Sequence, residues 1–385
     1  MEIKNLTRNE IDELIELWSQ SFIFPREQIA GWVNEENIKN CIGVFENNKL
    51  TSALNIIPFE FYIRGKVLPL AGIGGVATYP EYRGKNYIHY LLSEAIRIAR
   101  EKGFIYSMLY PFSYEFYRNF GWELGGFQKR YILKTYNIPK FKEMEYVRKI
   151  PLEEYQLIKK IYYERAKTFT GPIKRDENRW ESLIYRTRNL TYLYIYEKDE
   201  IEGYLLYSVD TINVNKIIVK EMIFNNISAY KGFLALFSRQ SMNIEEVHFT
   251  MPLTDNLPFI LSNPRVNTNI EPTFMIRILD FEKAIKNLEF SEDINTTLRI
   301  QVIDEYAKWN NNIWRLEIKN KKVNLFEDKG YDLSIKIQTL SQIVAGVLDP
   351  IDAYKLGLIE TKIPDTIHTL EKLFPCYNTF CWDYF

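Results

Sequence analysis

Between Gly72 and Lys102 the chain passes from a glycine-rich apolar run, through a proline turn, into an amphipathic helix. Gly75–Tyr79 reads as a strand and Pro80-Glu81-Tyr82-Arg83-Gly84-Lys85 as the turn. From Asn86 to Lys102, residues Ile88, Leu91, Leu92, Ala95, Ile96 and Ala99 recur at helical spacing on one face. Gly103 stands where a glycine cap belongs. A helix that starts directly after a strand turns its unpaired N–H groups and positive dipole end towards the sheet edge, which is an anion site. Arg83 and Lys85 add charge there, and Gly84 lets the backbone approach a bulky anion. An ordinary surface turn can hold the same ingredients, so taken alone the segment specifies a geometry rather than a ligand.

A chain of 385 residues exceeds one ordinary core and predicts two or three domains. Before the key segment come a helix from Arg8 to Phe24 and strands at Cys41–Phe45, Leu50–Phe59 and Phe61–Leu70. A short strand, Phe104–Tyr110, follows it. Phe22, Phe24 and Trp32 fit either a substrate cleft or the core of the first helices, and the core is the expected place. From Pro151 the theme repeats weakly, with a helix at Tyr155–Ala166 and strands at Tyr192–Tyr196, Gly203–Val209 and Ile217–Phe224. A helix at Tyr230–Ser238 completes that region. It lacks the Arg-Gly-Lys element and reads as a degenerate duplicate without a cofactor site. A third region shows a strand-to-helix run at Ile276–Ile285 and alternating strands at Leu298–Asp304, Ile313–Ile318 and Lys322–Phe326. Helices at Leu340–Val347 and Pro350–Leu358 close it. The domains are expected at 1–150, 151–275 and 276–385.

Composition narrows the chemistry. The formal net charge of −1 supplies no field for nucleic acid or an anionic membrane, and neither is expected as a partner. No apolar run approaches a membrane span, and the charged start MEIKNLTRNE is not a signal peptide, so a cytoplasmic location is expected. Three histidines, His89, His248 and His368, have no metal-ligand spacing, so neither a metal nor a histidine-based triad is expected. Cys41, Cys376 and Cys381 cannot form a disulfide framework and show no nucleophile context. Carboxylates, tyrosines and backbone groups are left to do the work.

The string Val76-Ala77-Thr78-Tyr79-Pro80-Glu81-Tyr82-Arg83-Gly84-Lys85-Asn86 resembles the acyl-CoA signature of the GCN5-related N-acetyltransferases (GNAT). The resemblance implies that Val76, Ala77 and Thr78 hold the pantetheine arm of acetyl-CoA like an added strand. Arg83, Gly84, Lys85 and Asn86 would then hold its pyrophosphate. Asn86 and Ile88 replace two small residues of the pattern; Asn tolerates left-handed backbone angles, and Ile88 can turn to the core. Phe116-Tyr117-Arg118-Asn119-Phe120-Gly121-Trp122 fits a second GNAT element. Its tyrosine, here Tyr117, would protonate the departing thiolate as general acid. Across the whole chain the pattern is similar to the enhanced intracellular survival (Eis) acetyltransferases. The implied fold is α/β (α+β): tandem GNAT folds, each a mixed central sheet with flanking helices, then a sterol-carrier-protein-like α+β domain.

The last residues, Leu373-Phe-Pro-Cys-Tyr-Asn-Thr-Phe-Cys-Trp-Asp-Tyr-Phe385, are too aromatic to lie in water and should dock. In the resembled family the terminal carboxylate enters the active site, which assigns the amine-deprotonating base to Phe385. Together with Asp383 it would make the pocket acidic and suited to a polyamine. The resemblance implies acetylation of primary amines, on aminoglycosides or lysine side chains, by direct attack and without an acyl-enzyme. It also implies a homo-oligomer, a hexamer. The alternative is a non-catalytic acyl-CoA or lipid-binding protein that uses the same domains for sensing or assembly.

Overall fold

The structure, a computed structural model, describes residues 1–185, 190–210 and 215–385. The chain begins with β1 (Glu2–Asn5), β2 (Cys41–Glu46), β3 (Lys49–Ile63), β4 (Lys66–Thr78), β5 (Tyr106–Leu109) and β6 (Glu123–Leu124). Interspersed are α1 (Ile11–Phe22), α2 (Arg26–Ala30), α3 (Tyr87–Glu101) and α4 (Tyr114–Arg118). Strands β1 to β4 pair antiparallel in order, while β4 and β5 pair parallel over Leu70–Ile73 and Tyr106–Leu109. The hairpin between β3 and β4 turns at Arg64 and Gly65, both with positive φ. That moves the break from the expected position near Glu60 to the residue pair able to adopt left-handed angles.

Helix α3 covers one face of this sheet through Leu91, Leu92, Ala95, Ile96 and Ala99, against Ile42, Val44, Leu54, Ile56, Ala71 and Ile73. Tyr87 is buried at its start while Ile88 is only partly so, a small rotation from the expected stripe. Helix α1 covers the other face with Leu14, Leu17 and Trp18 against Phe45, Leu50, Ala53 and Ala77.

After β6 the chain leaves the first sheet at Gly125-Gly126. It builds a second from β7 (Phe127–Lys134), β8 (Val147–Ile150), β9 (Thr191–Glu197), β10 (Ile201–Val209), β11 (Lys216–Phe224), β12 (Glu246–Pro252) and β13 (Asn267–Pro272). Helices α5 (Lys159–Ala166), α6 (Glu177–Tyr185) and α7 (Ile227–Ser238) accompany it. The chain then returns: β14 (Met275–Ile278) inserts between β5 and β6 of the first sheet. In the second sheet β7 holds the corresponding place, between β12 and β13. The two sheets have thus exchanged one strand each. The points of crossing are 125–126 and 273–274. At the crossing the Gly125 N–H donates to the Phe274 carbonyl (2.8 Å) and the Thr273 N–H to the Gly126 carbonyl (2.9 Å). A Cβ on either glycine would run into the buried Phe274 ring, so the close approach requires glycine here.

The third sheet contains β15 (Thr296–Ile303), β16 (Ile313–Lys319), β17 (Lys322–Glu327), β18 (Leu333–Lys336) and β19 (Ile359–Thr361). Helices α8 (Phe281–Lys286), α9 (Ile337–Ala345), α10 (Pro350–Lys355) and α11 (Asp365–Leu373) pack with it. Its core is continuous with Phe61, Ile63, Leu68 and Leu70 of β3 and β4. Among the described residues no helix is long and apolar enough to cross a membrane.

Arg277 on β14 ties these parts together. Its guanidinium donates to the Phe120 carbonyl (2.7 Å) and to both oxygens of Asp304 (2.8 and 2.9 Å), and both side chains are fully buried. A Cβ on Gly121, whose φ is +90°, would occupy the guanidinium's own space. Arg277→Ala leaves the Asp304 carboxylate buried without its cation and should lower unfolding free energy by about 3–5 kcal/mol. Urea denaturation followed by fluorescence measures the change.

Candidate active site

The parallel pairing of β4 with β5 stops at Ile73 and Leu109, and beyond it the two strands separate. Just past that point β4 carries a bulge: Gly74 faces Asn55 and Ala77 faces Ala53, so Gly75 and Val76 together oppose Leu54. Gly75 takes φ +60° against the Trp18 ring, and the Trp18 indole N–H donates to the Gly75 carbonyl at 2.7 Å. Trp18, within the helix expected from Arg8 to Phe24, therefore sets the bulge. Further along, the Tyr79 N–H donates to the Thr51 carbonyl (3.1 Å), which makes Thr78 and Ser52 a non-hydrogen-bonded pair. The Thr78 N–H consequently faces away from β3, towards the gap between β4 and β5. Its side chain stays on the sheet, 2.9 Å from the Ser52 hydroxyl.

The turn after β4 delivers the chain to α3 with Gly84 at φ +81° and Asn86, the residue before the helix, at φ +60°. No side chain caps α3, so its first amides are left without a side-chain acceptor. The second domain does the opposite. The Asn226 side chain accepts from the Ala229 N–H (2.9 Å) and closes the start of α7. The same strand-to-helix passage thus recurs with its helix start capped by the protein's own side chain.

A cavity of about 710 Å³ opens where the gap meets the start of α3. Val76, Ala77, Thr78, Arg83, Gly84 and Asn86 line it, as do Tyr82, Ile88, Phe112 and Phe116. Lys85 does not. Its ammonium pairs with Glu46 (3.0 Å), which also accepts from the Tyr87 hydroxyl (2.8 Å). Arg83 is exposed and only reaches the Thr78 carbonyl at 3.4 Å. Phe22, expected in the core, lines the cavity beside Ser21 and is 37% exposed; Phe24 is also exposed, because α1 ends at Phe22. The seat fits a long phosphorylated thioester: a free strand edge for amides, then a basic residue and open helix amides for phosphate.

Tyr117 on α4 is buried, its ring centroid 5.3 Å from those of Phe112 and Phe116, which form the cavity wall. It stands one layer behind that wall rather than in it. Burial raises its pKa, so the phenol keeps its proton. Phe385 lies on the other face of β4. Ala71 and Ile73 point to α3, whereas a Cβ on Gly72 would meet the Phe385 ring at 2.9 Å. A Cβ on Gly74 would lie 4.0 Å from the Phe385 carboxyl carbon. No hydrogen bond or ring contact joins Phe385 to Tyr117 among the described residues.

The tail before Phe385 is fixed along its length. Thr170 exchanges backbone bonds with Asn378 and Phe380 (2.8 and 3.0 Å), and the Tyr110 hydroxyl donates to the Asp383 carbonyl at 2.7 Å. Asp383 itself departs from expectation. Its carboxylate is buried against the Arg175 guanidinium (3.0 Å), which also binds Glu221 (3.0 Å), with the Tyr162 hydroxyl at 3.2 Å. With Arg179 also 3.8 Å away, two guanidinium groups balance Asp383 and Glu221, so Asp383 is an internal anchor rather than a free acid of the cleft. Burial pushes the Cys41 and Cys381 thiols up to about 12, which leaves neither as a nucleophile.

Comparison with known proteins agrees with this geometry. Residues 2–125 match the family model of an acetyltransferase (GNAT) domain, and residues 171–278 match a second acetyltransferase (GNAT) domain model. Together these matches take in more than half of the chain. The chain belongs to the GNAT acetyltransferases. Residues 281–382 match a sterol carrier protein domain. Solved structures share the fold over the full length. A GCN5-related N-acetyltransferase from Anabaena variabilis is 19% identical with a TM-score of 0.91, each chain covered completely. A probable N-acyltransferase from Enterococcus faecalis is 23% identical with a TM-score of 0.91, covering 100% of this chain and 99% of its own. Eis1 from Mycobacterium abscessus is 18% identical with a TM-score of 0.84, each chain again covered completely. No curated protein sequence matches the chain.

In this GNAT protein the bulge is held by a single indole. Trp18→Phe removes the donor to Gly75, at about 1 kcal/mol for one hydrogen bond, together with the benzo ring that packs on Gly75. CoA binding measured by titration calorimetry should weaken about fivefold.

Proposed function

We propose that the protein transfers the acetyl group of acetyl-CoA to a primary amine, with aminoglycosides and lysine side chains as the substrate classes. The observation that carries the reading is the free edge of β4, which runs from the last pair with β5 at Ile73, past the outward Thr78 N–H, to the uncapped start of α3. Val76, Ala77 and Thr78 bind the pantetheine arm, and Arg83, Gly84 and Asn86 bind the phosphates. Lys85, through Glu46, steadies the turn.

Acetyl-CoA supplies the activated thioester. The Phe385 carboxylate draws in the substrate ammonium and takes a proton from it, from the face of β4 opposite α3. The freed amine attacks directly, and Tyr117 gives its proton to the departing sulfur. The Arg175–Asp383 pair serves this step indirectly, because it fixes the chain two residues before the carboxylate. The working form is a cytoplasmic homo-oligomer, a hexamer, without metal, nucleic acid or membrane.

Mass spectrometry of kanamycin, amikacin and a lysine peptide after incubation with acetyl-CoA tests the reading. Acetylation of at least one supports it, and saturable CoA binding with no acetylation of any amine overturns it. Tyr117→Phe should lower kcat about 10²–10⁴-fold with CoA affinity retained. A tyrosine acid is active while protonated, and burial moves its titration upward. The alkaline fall of kcat assigned to Tyr117 should therefore lie above pH 10 in a pH–rate profile.

A further inference from the structure

The second sheet repeats the device that opens the first one. Strand β11 pairs parallel with β12 only over Lys216–Ile218 and Glu246–His248, after which the two separate. Two residues past the last pair β11 carries a bulge against β10: Glu221 faces Leu206 and Val219 faces Tyr207, which leaves Lys220 as the extra residue. In the first sheet the bulge begins at the same offset, Gly75 following Ile73. A bulge there re-aims a side chain, and in the second domain the residue re-aimed is a lysine.

Lys220 lines a cavity of about 330 Å³ between this sheet and the tail. Thr250 and Gln128 come from neighbouring strands, Tyr110 and Tyr114 from the first domain, and Trp382 from the tail. The single hydrogen-bonding partner of its ammonium among the described residues is the Thr191 hydroxyl, at 3.4 Å. The acidic groups around it are engaged elsewhere. Asp383, in the cavity wall, and Glu221, next in sequence, both bind Arg175. Glu271, beyond Gln128, pairs with Arg130. The other titratable groups of the lining are the phenols of Tyr110, Tyr114 and Tyr384 and the thiol of Cys381, and burial raises Tyr110, Tyr114 and Cys381. Lys220, which lines the cavity, is thus a half-buried amine without a counter-ion among the described residues.

We infer that Lys220 is an acyl acceptor, a modification site for small thioester acyl donors built into the gap of the second domain. The neutral nitrogen attacks the thioester carbonyl. The C–N bond forms as the C–S bond breaks, and the proton lost from nitrogen leaves with the thiol. Burial pulls the Lys220 amine down to about 8, whereas an ordinary lysine titrates near 10.4. At pH 7.5 that gives on the order of a hundredfold more of the neutral nucleophile. The product is an uncharged amide lying against the tail segment that leads to Phe385. Nothing in this inference depends on the reading of the first site.

The full-length protein is incubated separately with acetyl-CoA and with S-acetyl-N-acetylcysteamine. The acetylation rate of every lysine peptide is then read by mass spectrometry from pH 6.5 to 10. Lys220 should be labelled at least tenfold faster than the exposed Lys140, Lys308 and Lys362 at pH 7.5 with one or both donors. Its rate should level off near pH 8, while theirs keep rising. Lys220→Arg should abolish the label with the thermal midpoint unchanged within a few degrees. Labelling of Lys220 no faster than the exposed lysines with both donors overturns the inference, as does a rate that follows theirs up to pH 10.

Discussion

One buried guanidinium holds the architecture in register. Arg277 enters the first sheet on a strand that comes back from the second, and reaches across Gly121 to the Phe120 carbonyl. It ends on Asp304 of the third domain. Asp304 in turn accepts from the Tyr306 and Ala307 N–H groups and from the Asn310 side chain, so the cation sits on a carboxylate that is itself organised. A charge pair this deep gains little over an apolar substitute, but it penalises every arrangement that leaves one partner alone. Gly121 belongs to the same element as Tyr117. The glycine of that motif thus answers to the domain seam, while its tyrosine packs behind the cavity wall.

The same strand-to-helix unit occurs twice with opposite outcomes. In the first domain eight loop residues separate β4 from α3, two of them in the left-handed region, and the helix start is uncapped. In the second domain only Asn225 and Asn226 connect β11 to α7, and Asn226 caps the helix. A two-residue link cannot wrap a diphosphate, and a capped helix offers it fewer free amides.

Local periodicity made much of this visible in the sequence. The α3 stripe, the Arg83-Gly84 turn and the left-handed tolerance of Asn86 depend on neighbours a few residues apart, and the structure has Asn86 at φ +60°. The hairpin break was expected near Glu60, whereas the chain turns at Arg64-Gly65. Strand exchange was invisible, since Phe127–Lys134 looks like any half-buried strand and nothing in it names the partner sheet. The role of Asp383 was likewise hidden. An acidic residue beside a carboxyl terminus suggests an acidic cleft until Arg175, 208 positions earlier, is found against it. Trp18 gave no signal beyond its place on an apolar face.

The exchange of β7 and β14 also bears on the order in which a ribosome can deliver a finished enzyme. The first sheet holds its cofactor strand by residue 78, yet it has a vacant slot between β5 and β6 until residues 275–278 emerge. Throughout that interval β7 waits for β12 and β13, and two sheets stand with unpaired edges at once. Such long-range closure is slow and exposes the nascent chain to mispairing. In compensation, neither half can complete its fold in advance of the other. Synthesis therefore yields the acetyl-donor site and its partner domain together, as one event late in translation.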